Sequence, residues 1–135
     1  LFWKPCTSWA SPLQDVTRAN LGFALHHALK DARMGERTLE ALFEGFCHHL
    51  DIIVDSIKAG YDRHYEVVGR NTPELCYNLF MHGPIERGLN CSEGGVDILN
   101  FNIDGVALST VADSFAAIEQ RIVNEGRITW DRCLR

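Results

Sequence analysis

Apolar residues recur along most of this chain at steps of three and four, which places them on one side of an α-helix. Leu21, Leu25, Ala28 and Leu29 form the first such face. Asp15 or Thr17 ahead of it supplies a cap, so the pattern predicts a helix reaching about Ala32. Gly35 breaks it. Thr38 then caps a long helix whose apolar positions are Leu39, Leu42, Phe43, Phe46, Cys47, Leu50, Ile53, Val54, Ile57 and Tyr61, with charged residues opposite. That helix is expected to run to Val68 and to end at Gly69 and Asn71. Thr72-Pro73-Glu74 reads as a helix start, a hydroxyl followed by a proline where no amide hydrogen is needed. The helix it opens covers Glu74 to about Met81 and is stopped by Gly83-Pro84. Val111, Phe115, Ile118 and Ile122 make the buried stripe of a further helix, capped by Ser109 or Thr110. Thr110 and Asp113 have capping-box spacing. Thr129 caps the last helix.

The pattern changes at Val96 to Ile103, where β-branched and apolar residues are interrupted by Asn100 and Asn102. This reads as a short strand or extended segment, with Gly105 turning the chain after it. A single strand leaves its backbone groups unmet, so partners outside the chain are expected. Leu1 to Pro12 reads as loop, and no internal repeat is visible. The fold class is therefore mostly α with a short extended segment.

Composition narrows the function classes. With 135 residues, 46% hydrophobic and 23% charged, the chain has the make-up of one soluble globular domain. A net charge of -5 argues against a nucleic-acid surface, which needs clustered Lys and Arg. No apolar run is long enough to span a bilayer, and no signal peptide is visible. Both ends, Leu1 and Arg135, read as cut. The 5 cysteines are an odd number without framework spacing, which favours reduced thiols in a cytoplasm. The lack of a Cys-x-x-Cys string argues against structural zinc or an iron-sulfur cluster in this chain.

Among groups with chemistry, His48 falls with Glu44, Asp51 and Asp55 on one face of the long helix. Such a stripe suits a metal in a helical bundle, but it lacks Glu-x-x-His spacing and continues into Glu40, Lys58 and Asp62. A solvated helix face is the simpler reading. His26 and His27 are adjacent and point in different directions, one to packing and one to water. Gly94-Gly95 reads as a tight turn with positive φ rather than a phosphate cradle. Asn100 and Asn102 would share a face of the extended segment, for backbone pairing or for a substrate contact.

Several of these pieces occur in an order that resembles the glycyl radical enzymes, the pyruvate formate-lyase-like superfamily. GLNCSEGGVDILNFNIDGVALSTVADSFAAIEQRIV, from Gly88 to Val123, is similar to a loop-strand-turn-helix late in that family's large domain. RANLGFALHHALKDAR resembles its Asn-x-x-x-x-Leu-x-x-Ala-Leu-x-Asp helix. TPELCYNLF, IERGLNCSEGG, the stretch from Ile122 to Arg127, and ITWDRCLR follow in the family's order. The resemblance implies that residues 1–135 are a partial pyruvate formate-lyase-like domain, truncated at both ends and belonging to a large α/β barrel. It also implies a radical held on a glycine in an Arg-Val-x-Gly motif and passed to a cysteine thiol. No such motif occurs in this chain, and its place would lie beyond Arg135.

In the family the catalytic cysteine shortly precedes the helix that here begins near Asn20. That makes Cys6, in KPCTSW, the catalytic candidate, the alternative being a cysteine upstream of the chain. Pro5 stands where members often have Gly. Ser8 stands where eliminases carry Glu, which weakens a dehydratase reading. Cys91-Ser92-Glu93 copies the Cys-x-Glu spacing, but in a later loop where the family has no catalytic cysteine. The resemblance implies radical cleavage of a C–C, C–O or C–N bond in a small-molecule substrate, in the manner of a formate acetyltransferase, a dehydratase or a decarboxylase. It further implies a homodimer in an anaerobic cytoplasm and a radical activase that uses S-adenosylmethionine and an iron-sulfur cluster, with no cofactor bound in this chain itself. Two other classes stay open: a non-catalytic helical scaffold or binding domain, and a helical metal-binding protein.

Overall fold

The computed structural model describes residues 14–99 and 101–135. The order of elements is β1 (Gln14–Asn20), α1 (Leu21–Asp31), α2 (Leu39–Asn71), α3 (Leu75–Asn78), α4 (Pro84–Arg87), a 3-10 turn at Cys91–Glu93, β2 (Phe101–Val106), α5 (Leu108–Ile118), a π-turn at Glu119–Asn124, and α6 (Trp130–Cys133). The protein is mostly helical, as expected. Its contacts divide it into two compact units. One holds Ile57–Ile103 with the chain up to Thr17, and the other holds Arg18–Ser56 with Asp104–Arg135.

The expected helix start at Asp15 or Thr17 is corrected. Residues 14–20 form β1, and the helix begins only at Leu21. The cap is Asn20, whose backbone is extended and whose side-chain oxygen accepts from the Phe23 amide at 3.3 Å. The apolar face also begins at Leu21, while β-branched Val16 and Thr17 suit a strand. The expectation of one strand without a partner is corrected too, because β1 and β2 pair as a two-stranded sheet. Gly105 does not turn the chain. It lies inside β2, where a Cβ would stand 3.4 Å from Leu21 Cδ1. The turn is made one step later by Ala107, in the left-handed region at φ 67. Ala107 is also the N-cap of α5, so Ser109 and Thr110 lie within the helix rather than capping it.

The unit built from Arg18–Ser56 and Asp104–Arg135 has an apolar core. Ala24, Leu25 and Ala28 from α1, Leu42 and Phe46 from α2, Val111 and Ile118 from α5, and Leu134 are all buried together. The stripes read from the sequence on α1 and α5 are the faces that pack. Small residues bring α1 and α2 close, since a Cβ on Gly45 would lie 3.6 Å from that of Ala28. Phe43, Phe46 and Phe115 meet with ring centroids 5.7 to 6.2 Å apart, in aromatic packing range. Thr38 caps α2 as expected, its hydroxyl accepting from the Ala41 amide at 3.2 Å.

In the other unit α2 runs on to Asn71, past the expected end at Val68. Gly69 does not break it. The residue is buried, and a Cβ there would fall 2.1 Å from the Glu93 carboxyl carbon, so this glycine makes room for the Glu93 side chain. The helix expected from Glu74 to Met81 shrinks to the single turn α3, with Glu74 rather than Thr72 at its N-cap. Gly83-Pro84 starts a helix instead of stopping one. Pro84 takes the first position of α4, and the Gly83 amide donates to the Glu86 carboxylate at 3.1 Å.

Candidate functional site

The most constructed feature of the described residues is a polar knot around Cys91, in the unit of Ile57–Ile103. Asparagines hold it together. Asn90 Oδ1 accepts from the Glu74 amide at 3.2 Å and from Asn78 Nδ2 at 2.6 Å. Asn78 Oδ1 in turn accepts from the Cys91 amide at 2.9 Å. The Asn90 amide nitrogen reaches Ser92 Oγ at 3.3 Å. Two side chains therefore tie α3 to a loop twelve residues further on, replacing the ladder bonds that this irregular backbone lacks.

Glycines shape the remainder of the loop. Gly83, Gly88 and Gly94 have positive φ, and Gly94 closes the 3-10 turn as the tight turn read from the sequence. A Cβ on Gly83 would stand 2.3 Å from the Gly95 carbonyl, so the two chain segments touch backbone to backbone. Arg87 clamps the same turn. Its guanidinium donates to the Gly95 carbonyl at 2.9 Å and is ion-paired with Asp97.

Within this frame the Cys91 thiol is 1% exposed and packs with Met81 and Val96. Its Sγ donates to Glu74 Oε2 at 2.7 Å. Burial, with the hydrogen bond to Glu74 and the charge of that carboxylate, pushes the thiol up to about 12. Cys91 thus stays a protonated, inaccessible thiol, unsuited to nucleophilic attack, which needs a thiolate within reach. Burial is also the main reason that the Tyr65 phenol lies above its usual range, with Tyr61, Glu74 and Cys91 adding to it.

The catalytic candidate Cys6 lies outside the described residues, as do Asn100 and the side chain of Asn102. Cys91-Ser92-Glu93, the look-alike motif, does not form a Cys-Glu pair. Cys91 bonds Glu74 instead, and Glu93 turns toward Gly69. His48, Glu44, Asp51 and Asp55 are all exposed, a solvated helix face. His26 is exposed and His27 half-buried, as their adjacency required. His27 packs edge-on to Phe23 and lies beside His49, whose Nε2 meets Asp31 Oδ2 at 2.6 Å. Among the described residues no group of three or more His, Cys, Asp or Glu side chains is placed to hold a metal. None of the described helices is long and apolar enough to cross a membrane.

Glu74, Asn78 and Asn90 were not marked by the sequence as partners of Cys91. Their only signal is compositional: asparagines in a segment rich in Gly and Pro, where side-chain amides commonly replace backbone bonds.

The sequence model of the family described as pyruvate formate lyase-like matches residues 16–135. The chain belongs to the pyruvate formate lyase-like family. This match runs from within β1 through α6 and so takes in the knot and most of both units. It makes the protein a relative of the glycyl radical enzymes. Neither the curated proteins nor the solved structures compared with the chain gave a match.

Proposed function

We propose that this chain is an internal segment of a pyruvate formate-lyase-like glycyl radical enzyme, truncated at both ends, whose parent cleaves a C–C, C–O or C–N bond of a small molecule by radical chemistry. The observation that carries this reading is the family match over residues 16–135. Cys6 is the proposed thiyl radical site, because it shortly precedes α1, the helix that follows the cysteine loop in the resembling family. With Ser8 in place of a carboxylate base, acyl transfer or decarboxylation fits Cys6 better than dehydration. The completing structure would be the family's α/β barrel, to which β1 and β2 contribute strands.

Exposed apolar side chains support a larger parent. Leu75, Leu79 and Ile85 in one unit are 64 to 69% exposed, and Met34 and Leu108 in the other are 94% and 66% exposed, a pattern expected of surfaces that pack against further protein. No residue of this chain is offered for the radical glycine, since its positive-φ glycines sit in turns without an Arg-Val-x-Gly string. That glycine, the activase with S-adenosylmethionine and an iron-sulfur cluster, the homodimer and the anaerobic cytoplasm belong to the proposed parent.

The test uses the parent chain, activated anaerobically and examined by electron paramagnetic resonance together with turnover. Cys6→Ala is expected to keep the glycyl radical signal and to lose turnover. Unchanged turnover would remove Cys6 from the mechanism, and a parent that never shows a glycyl radical would overturn the whole reading.

A further inference from the structure

At Ile118 helix α5 widens into the π-turn at Glu119–Asn124, a rare geometry that often marks functional sites. Gly126, at φ 61, then folds the chain back, and the Arg127 and Ile128 amides both donate to the Arg121 carbonyl, at 2.9 and 3.2 Å. The returning loop and α6 leave a cavity of 260 Å³ against the π-turn, within the unit of Arg18–Ser56 and Asp104–Arg135. Ala117, Ile118, Ile122 and Ile128 line it with carbon, and Arg121 and Arg132 bring guanidinium side chains to it. Cys133 completes the wall. Partial burial holds its thiol above the usual range, so it adds no negative charge.

Size and charge define the occupant. An apolar cavity of about 150 Å³ accommodates benzene, so 260 Å³ holds a ring with a head group attached. Among the described lining residues none is acidic. The nearby acids are engaged or face elsewhere. Glu125 is shared by Arg121 at 2.8 Å and Arg127 at 3.5 Å, Asp131 pairs with Arg37 at 2.6 Å, and Glu119 lines a second cavity with Glu40. The Arg132 guanidinium has no hydrogen bond or ion pair among the described residues. A guanidinium beside carbon walls suits a carboxylate, which it pairs fork to fork, and an aromatic face, on which it stacks.

We propose that this cavity binds a small aromatic carboxylate, with the ring against Ala117, Ile122 and Ile128 and the carboxylate on Arg132. Arg121, already shared with Glu125, adds positive charge at the mouth. The inference goes beyond the glycyl radical reading and does not rest on it.

The experiment titrates the full chain, labelled at its isoleucine methyls, with benzoate and follows the methyl resonances. Benzyl alcohol keeps the ring without the charge, acetate keeps the charge without the ring, and benzylamine reverses the charge. Benzoate is expected to shift the Ile118, Ile122 and Ile128 methyls with an affinity near the millimolar range. It should bind about tenfold tighter than benzyl alcohol, the worth of a charged hydrogen bond. Acetate and benzylamine should leave these methyls unmoved. Arg132 and Ala117 are exposed, so both can be changed without opening the core. Arg132→Gln should erase the advantage of benzoate and leave binding of benzyl alcohol unchanged. Ala117→Phe, which fills the cavity, should abolish both. Benzoate that shifts none of these methyls, that binds no tighter than benzyl alcohol, or that keeps its advantage in Arg132→Gln would overturn the proposal.

Discussion

The two units reach order by opposite means. The one containing α1, the start of α2 and α5 buries volume: Leu42 is 1% exposed and Ala24 is 0% exposed, and the contacts are aliphatic and aromatic. The one containing α3 and α4 has, among the described residues, a small apolar cluster around Met81, Cys91 and Val96, and holds its loop with asparagine amides, a guanidinium and closely approaching glycines. Packing of the first kind is tolerant, because any apolar residue of similar volume serves. The second kind is exacting, because each amide oxygen has a specified donor and each glycine a specified absence.

Substitutions sharpen that contrast. Leu42→Ala should have the largest effect, destabilising the chain by about 2–5 kcal/mol through a cavity in the helical core, read by denaturant unfolding. Leu42→Met should cost about 1.5 kcal/mol or less if volume is what matters there. In the knot, Asn90→Asp keeps shape but gives up the amide donor to Ser92, and Asn90→Ala loses every bond. Asn90→Ala should cost about 1–3 kcal/mol, since it strands the Glu74 amide and Asn78. If Asn90→Ala were neutral while Leu42→Ala was not, the knot would be decoration and the contrast would fail.

A pH series separates the units more finely. The Cys91 thiol is raised from 9.0 to about 12 in the folded chain. Between these values the unfolded chain releases the proton and the folded chain keeps it, so the unfolded form binds fewer protons and stability falls as pH rises. The contribution is complete below about 9 and is lost toward about 12, where Cys91→Ala should flatten the profile. The smallest effect is expected at a cap: Thr38→Ala should cost about 1 kcal/mol, visible as a modest drop in melting temperature.

The helical core was legible because volume burial is periodic. Leu21, Leu25 and Ala28, and then Val111 and Ile118, announce their faces by spacing alone. Boundaries were less legible. Asp15 and Thr17 were read as caps in place of Asn20, because the deciding fact is a strand pairing with residues some eighty positions later. Gly69, Gly83 and Gly105 were all read as chain breakers, yet their missing side chains serve close approaches to Glu93, Gly95 and Leu21. The knot had no periodic signature, since Glu74 and Cys91 are 17 residues apart and meet only through tertiary folding. For Cys6 the sequence offers position in a family pattern and no geometry.

The slot at Gly69 has a consequence for how α2 finds its setting. Glu93 lies where a side chain would otherwise project from the helix. Rotating the helix by one residue, about 100°, would present Val68 or Arg70 to Glu93 in place of a bare backbone. The loop can therefore seat against only one angular position of the helix, as a key seats in a single keyway. Closure of the 3-10 turn then acts as a proofreading step on helix register, and slow exchange of the Gly95 amide hydrogen would mark the molecules that have passed it.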